Sequence, residues 1–276
     1  MSTITASLVN ELRKKTGAGM MDCKNALVEA NGDMEVAVDL LRKKGQKVAA
    51  KRGDRDASEG LVIAKTTADG KLGVLLCLNC ETDFVAKNED FGQFANKLAD
   101  IAIANNANSV DDLKSKSYDG NGLSVADKIT EQTGVIGEKI DISACQSIEA
   151  ANVVAYNHPG NQIATLVGFT KEAQEAGRQV AMQVAAMAPI SVDESSVPAD
   201  VIEKELEIGK ELAIQEGKPA DLAEKIAHGR LKKFYKESTL LNQAFVRDNK
   251  KSVKQFLQET DGELTVTDFK RLSLSI

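Results

Sequence analysis

The chain has no tryptophan, three tyrosines, two histidines, four prolines and four cysteines in 276 residues. Each scarcity removes a class of function. His158 and His228 are single and far apart, so general acid–base catalysis lacks its usual agent, and a zinc site built on Cys77 and Cys80 lacks its two further ligands. Cysteines scattered at 23, 77, 80 and 145 suit a reducing compartment, and so the cytoplasm, better than a disulfide framework. The C-x-x-C pair closes an apolar run where a redox pair would open a helix, and both thiols read as core residues of a strand. The longest uncharged apolar stretches, such as "AMQVAAMAPISV", are too short to cross a bilayer, and this one holds Pro189. The opening "MSTITASLVNELRKK" places its charges after a mixed segment, unlike a secretory signal. G-x-x-x-x-G-K-[ST], G-x-G-x-x-G, G-x-S-x-G and H-E-x-x-H are all missing, so no direct nucleotide binding, no cofactor, no metal and no covalent catalysis are expected. A net charge of −6 speaks against general nucleic-acid binding.

What is present is a globular composition, 42% hydrophobic and 28% charged, with room for two or three domains. Three short helices read clearly at the start. Leu8, Val9 and Leu12 form an apolar face that stops at Gly17. Met20, Met21, Ala26, Leu27 and Ala30 form a second that stops at Gly32. Asp33 can cap a third, carrying Val36, Ala37, Leu40 and Leu41 to Gly45. Neighbours on a helix diverge by about 100°, so one of Met20 and Met21 is expected at the surface, beside Lys24. Arg42 to Arg55 then holds seven Lys or Arg and one acid, Asp54. This local +6 reads as a solvated basic linker, or as a surface for RNA or an acidic partner.

An internal repeat follows. "VIAKTTADGKLGVLLCL" (62 to 78) aligns without a gap to "VVAYNHPGNQIATLVGF" (153 to 169), each an apolar strand, a turn and a second strand. A helix follows each hairpin, with Phe94, Leu98 and Ile101 in the first copy and Val180, Val184 and Met187 in the second. The offset falls from 91 to 86, so the first copy carries five extra residues, all within "ETDFVAKNED". There Phe84 stands beside Asp83, Lys87 and Asn88, company that favours exposure over burial. Between the copies, a helix is expected to end at Gly134 and a strand to run through Ile140, Ile142 and Ala144. After Pro198 come two charged helical runs, with Gly217 closing one and Pro219 opening the other, an antiparallel hairpin with a seam of Ile202, Leu206, Ala213, Leu222 and Ile226. That hairpin could project from the body or dimerise. The tail reads as strand, helix, strand. The fold class is therefore α+β, a core of two similar subdomains with an inserted helical hairpin. The expected division is a three-helix domain at 1–46, a basic linker at 47–57, a first subdomain at 58–145, a second at 146–199 with 237–276, and the hairpin at 200–236.

"LRKKTGAGMMDCKNAL" (12 to 27) and "LNCETDFVAK" (78 to 87) closely resemble the two signature segments of bacterial elongation factor Ts, and the resemblance extends over nearly the whole chain. It implies a ubiquitin-associated-like N-terminal domain. It also implies guanine nucleotide exchange on elongation factor Tu, a GTPase, during translation. By that resemblance Met20, Met21 and Lys24 meet a helix of the GTPase's nucleotide domain. Thr82, Asp83, Phe84 and Val85 form a wedge beside its magnesium site, and the region of His158 reaches its third domain. The alternative from composition alone is a ribosome- or RNA-associated scaffold built on the helical module and the basic stretch.

Overall fold

The computed structural model describes residues 4–120 and 122–274. It begins with α1 (Ala6–Thr16), α2 (Met20–Glu29) and α3 (Met34–Arg52). Thr5 caps α1 through its hydroxyl, and Asp33 caps α3 by accepting from the backbone N–H groups of Glu35 and Val36. Gly17 ends α1 in the left-handed region, as its position in the sequence suggests. Val9, Leu12, Cys23, Leu27 and Ala37 bury together as the core of this helical bundle.

Next come β1 (Glu59–Thr66), β2 (Leu72–Cys80), α4 (Asp83–Ala86), α5 (Glu89–Ala104), α6 (Val110–Ser115), α7 (Val125–Ile136) and β3 (Asp141–Glu149). The three strands form one sheet in the order β1-β2-β3. The chain continues through β4 (Asn152–Asn157), β5 (Ile163–Phe169), α8 (Gln174–Met187), α9 (Ala199–Gln215), α10 (Ala220–Ser238), the two-stranded ribbon of β6 (Ala244–Phe245) and β7 (Asp248–Ser252), α11 (Val253–Thr260) and β8 (Val266–Ser273). β4, β5 and β8 make a second three-stranded antiparallel sheet, with Val154 opposite Val167 and Val167 opposite Phe269. The class is α+β, and the repeat is visible as two hairpins, each followed by a helix and joined by a third strand.

The chain folds as two compact units. The first gathers the described residues up to Ile63 with Leu76–Gln146, and the second gathers Ala64–Leu75 with Ser147–Ser273. In the second unit the tip of the β1–β2 hairpin is held by backbone bonds from Ala150 N to Lys71 O and Val153 N to Gly70 O, and by the Asn157 amide, which bonds both the N–H and the C=O of Ala64. Val167, Phe169, Val180, Val184, Leu240, Val253 and Leu257 form its core, and Phe245 stacks on Phe256.

Four expectations need correction. Gly45 does not end the third helix: α3 continues to Arg52, so residues 47–52 of the expected linker are helical. α3 packs on α7 at this point, and the glycine the approach requires is Gly134, whose Cβ would fall on the Cα of Gly45, whereas a Cβ on Gly45 would meet only ordinary contacts from 3.5 Å. For the same reason α7 does not end at Gly134. It runs to Ile136 and stops at Gly137, whose φ of 80° is left-handed. The third correction concerns the helical hairpin. Its tight contact is made by small residues, Gly209 and Ala213 on α9 against Ala223 and Ala227 on α10, with Leu231 below. A Cβ on Gly209 would lie 3.1 Å from the Cα of Ala227, so the helices meet backbone to backbone. Leu222, expected in the seam, is exposed, and Ile202, Leu206 and Ile226 are only half-buried. Met187 likewise lies at the surface, because Ala188 turns left-handed and ends α8 there.

The hairpin is inserted between adjacent stretches of backbone. Thr239 bridges Ser191 in parallel, and Leu240 and Leu241 donate to the carbonyls of Ser191 and Val192. Among the described residues no helix is long and apolar enough to cross a membrane.

Gly134→Ala separates two opposing effects. Helix propensity alone would raise stability by up to about 1 kcal/mol. Overpacking against Gly45 should instead lower it by about 1–3 kcal/mol, a loss measurable by denaturant unfolding.

Candidate functional site

The stretch that carries the five extra residues of the first repeat includes a single helical turn, α4. α4 spans four residues, too few to hold helical structure alone, since the first turn costs more order than its hydrogen bonds return. It is held from outside. Thr82 sits at its N-cap, with its hydroxyl 3.5 Å from Val85 N, while its carbonyl accepts from Ala86 N and from the Cys80 thiol at 3.2 Å. Asn88 then caps α5 through Asp90 N, so one helix hands over to the next without a free loop.

At the base of this turn two glutamates 57 residues apart exchange backbone groups. Glu138, just beyond Gly137, accepts from Glu81 N at 3.1 Å and Thr82 N at 3.0 Å through one oxygen, and from the Thr82 hydroxyl at 2.7 Å through the other. Glu81 in return accepts from Lys139 N at 2.6 Å, and Arg52 Nη1 lies 2.8 Å from both of its oxygens. The Lys139 ammonium donates to the carbonyls of Gly53 and Arg55. The end of α3, the end of β2 and the α7–β3 junction thus meet around the foot of α4. The Lys139 N–H, and after it Arg52, holds the Glu81 carboxyl below its ordinary value of 4.5. A depressed carboxylate keeps its partners above the unfolded pKa and loses them as pH falls through the folded one, so this contact persists at neutral and mildly acid pH.

Phe84 projects from the turn with 83% of its surface exposed. The fold does not use it as a core plug. Asp83 is half-exposed and pairs with Lys87 one turn on at 2.6 Å, a bond that lowers its pKa. Val85 is half-buried and lines a groove between the end of α1 and α5, with Gly17, Phe91 and Tyr118.

On α2 both Met20 and Met21 are exposed, at 54% and 63%, where one had been expected inside. Cys23, Ala26 and Leu27 fill the bundle side of that helix, leaving both methionines outward in its first turn. Lys24 is exposed beside them, and Val28 extends the same face by one turn, a residue the sequence reading passed over. His158 belongs to the second unit. It sits exposed where β4 turns into β5, its Nδ1 3.0 Å from the Tyr156 hydroxyl. Glu81, Glu138 and Arg52 were also missed. Glu81 could have been suspected inside "NCETDFVAK", whereas nothing local marks Glu138.

The basic stretch is partly spent inside the fold: Arg42 pairs with Glu131, Lys44 with Asp22, and Arg52 with Glu81. The cysteines are all buried and unbridged. Burial pushes Cys80 up to about 12 and Cys145 up to about 11, and raises Cys77 as well.

A family model described as "Elongation factor TS" matches residues 81–275. The elongation factor Ts of Christiangramia forsetii is 53% identical over 277 residues, covering 99% of this chain and 100% of that protein. That of Flavobacterium psychrophilum is 50% identical over 277 residues, with the same coverage. That of Cytophaga hutchinsonii is 47% identical over 279 residues and covers 100% of both.

Burial shields all four thiols from reagent, and at Cys77, Cys80 and Cys145 the raised pKa also suppresses the thiolate, which is the reactive form. The native protein should therefore resist an aromatic disulfide reagent at mildly alkaline pH and release four equivalents only on unfolding. A fast-reacting thiol in the native state would contradict the core placement of the C-x-x-C pair.

Proposed function

Because the chain belongs to the elongation factor Ts family, we propose that it promotes release of GDP from elongation factor Tu by pressing the Phe84 turn between two helices of that GTPase, beside its magnesium site. The observation that carries this reading is a large apolar side chain presented to solvent on a short helical turn braced at its foot. Magnesium bridges the nucleotide phosphates to a GTPase, so displacing its ligands removes much of the hold on GDP. Phe84 would supply the apolar area that keeps the wedge seated. Asp83, already paired with Lys87, would exchange that partner for donors on the GTPase.

The exposed face of Met20, Met21, Lys24 and Val28 would meet a helix of the GTPase's nucleotide domain, with flexible methionines adapting to its surface. His158 and its hairpin would reach the third domain. Residues 1–46 then act as a GTPase-contacting domain, although α3 continues beyond them. Exchange needs no covalent step. The factor favours the nucleotide-free GTPase and weakens GDP binding by the same coupling free energy, so incoming GTP expels it in turn. The cytoplasm is the setting this function requires. Ile208, Leu212, Ile214 and Leu222, exposed on the helical hairpin, support self-association there as a further proposal. The RNA-scaffold reading draws less support, since three of the seven basic residues it would use are ion-paired within the chain.

The direct test is release of labelled GDP from the cognate GTPase with and without this protein. Phe84→Ala should leave the melting temperature nearly unchanged, because an exposed ring contributes little to the core. It should weaken transition-state binding by about 2 kcal/mol or more, roughly thirtyfold in exchange at limiting factor. A core role for Phe84 demands the reverse, a stability loss of about 3–5 kcal/mol with exchange per folded molecule preserved.

Replacing residues 200–236 by a short flexible linker should keep the remainder folded and most exchange activity intact, since the chain leaves and returns on adjacent backbone at Ser191 and Thr239. Lost exchange in a folded variant would show that the hairpin takes part directly.

A further inference from the structure

Glu138 lies outside both signature segments. Its position is nonetheless specified with unusual completeness. Gly137, left-handed at φ 80°, turns the chain out of α7 so that the next side chain points back at the end of β2. Both carboxylate oxygens are then used: one takes the N–H groups of Glu81 and Thr82, the other takes the Thr82 hydroxyl. Those two N–H groups are the ones that chain direction exposes just before α4. The Thr82 hydroxyl is at the same time the N-cap acceptor of that helix, and at 3.5 Å from Val85 N it caps weakly. Orientation of the hydroxyl by Glu138 is therefore what directs its remaining lone pair at α4. On the reciprocal side Glu81 is pinned by Lys139 N and Arg52, which fixes the same junction from the end of α3 and the approach to β3.

Resting on the wedge reading above, we infer that Glu138 is a positioning residue for nucleotide exchange: it never meets the partner, and it acts by keeping the α4 turn formed, so that Phe84 is presented ready-made. A one-turn helix released from this clamp would fray, and its ordering would have to be repeated at every docking event, which lowers affinity and rate without removing a contact. A carboxylate suits this set because all three groups donate to it; a glutamine keeps an acceptor for the two N–H groups but must reverse the Thr82 bond, donating to the hydroxyl oxygen that also caps α4.

The experiment compares Glu138→Ala and Glu138→Gln, each alone and combined with Phe84→Ala, in the full chain. Amide hydrogen exchange should show Ala86, Lys87 and Asn88 losing protection by about tenfold or more in Glu138→Ala while the amides of β2 stay protected, the signature of local and not global opening. Stimulated GDP release should fall about tenfold in Glu138→Ala and by an intermediate factor in Glu138→Gln. In the Phe84→Ala background the same change should cost less than about twofold, because two residues acting through one contact are not additive. Unchanged protection of the turn in Glu138→Ala overturns the inference. So does an additive loss, or a loss that follows the melting temperature across both variants. If Phe84→Ala alone leaves exchange intact, the wedge itself fails, a result distinct from Phe84 mattering while Glu138 does not.

Discussion

The first unit depends on one close crossing. α3 and α7 meet where neither helix has a side chain, at Gly45 and Gly134. Past that approach α3 runs on to Arg52, which meets Glu81. α7 ends just beyond that crossing. Gly137 follows one turn later and sets Glu138 and Lys139 against the end of β2. A chain of short contacts thus leads from a helical bundle, through two glycines, to the foot of the turn that carries Phe84. Each step is local, but the order of steps is not arbitrary, because every element is placed by the one before.

The internal repeat gives this arrangement its control. Both copies form a hairpin, a following helix and a sheet completed by a later strand, so the five extra residues of the first copy cannot be explained by the needs of the fold. The stretch that holds them forms α4, and the energy that keeps this turn ordered comes from polar contacts at its base. Apolar burial contributes little there, since no residue of α4 is buried. Such a device suits a binding element. Hydrophobic residues used to anchor the turn would have hidden the surface it exists to present, whereas carboxylates capping backbone N–H groups hold the turn from below and leave Phe84 clear.

The inserted hairpin shows the complementary economy. Its two helices pack through Gly209, Ala213, Ala223 and Ala227, so most of their larger apolar residues are left at or near the surface. The insertion is joined to the second unit by backbone bonds at Ser191, Val192 and their partners, a junction that the rest of that unit can keep without it.

Most element types, the repeat, the inserted hairpin, the exposure of Phe84 and the family were legible in the sequence, because these follow from apolar periodicity, turn residues and two long motifs, all local properties of the chain, although the short α6 was not read. The sequence by itself misjudged Gly45 and Gly134, since a glycine that ends a helix and a glycine that lets another helix approach look the same in one dimension. It left the side of Met20 and Met21 open, because only the packed bundle decides which face of α2 is filled. The seam of the helical hairpin was assigned to the large residues when close approach had given it to alanines and glycine. Glu138 was invisible for the plainest reason. Its partners lie 56 and 57 residues away, and a hydrogen bond over that separation exists only once tertiary structure has brought the α7–β3 junction against the end of β2.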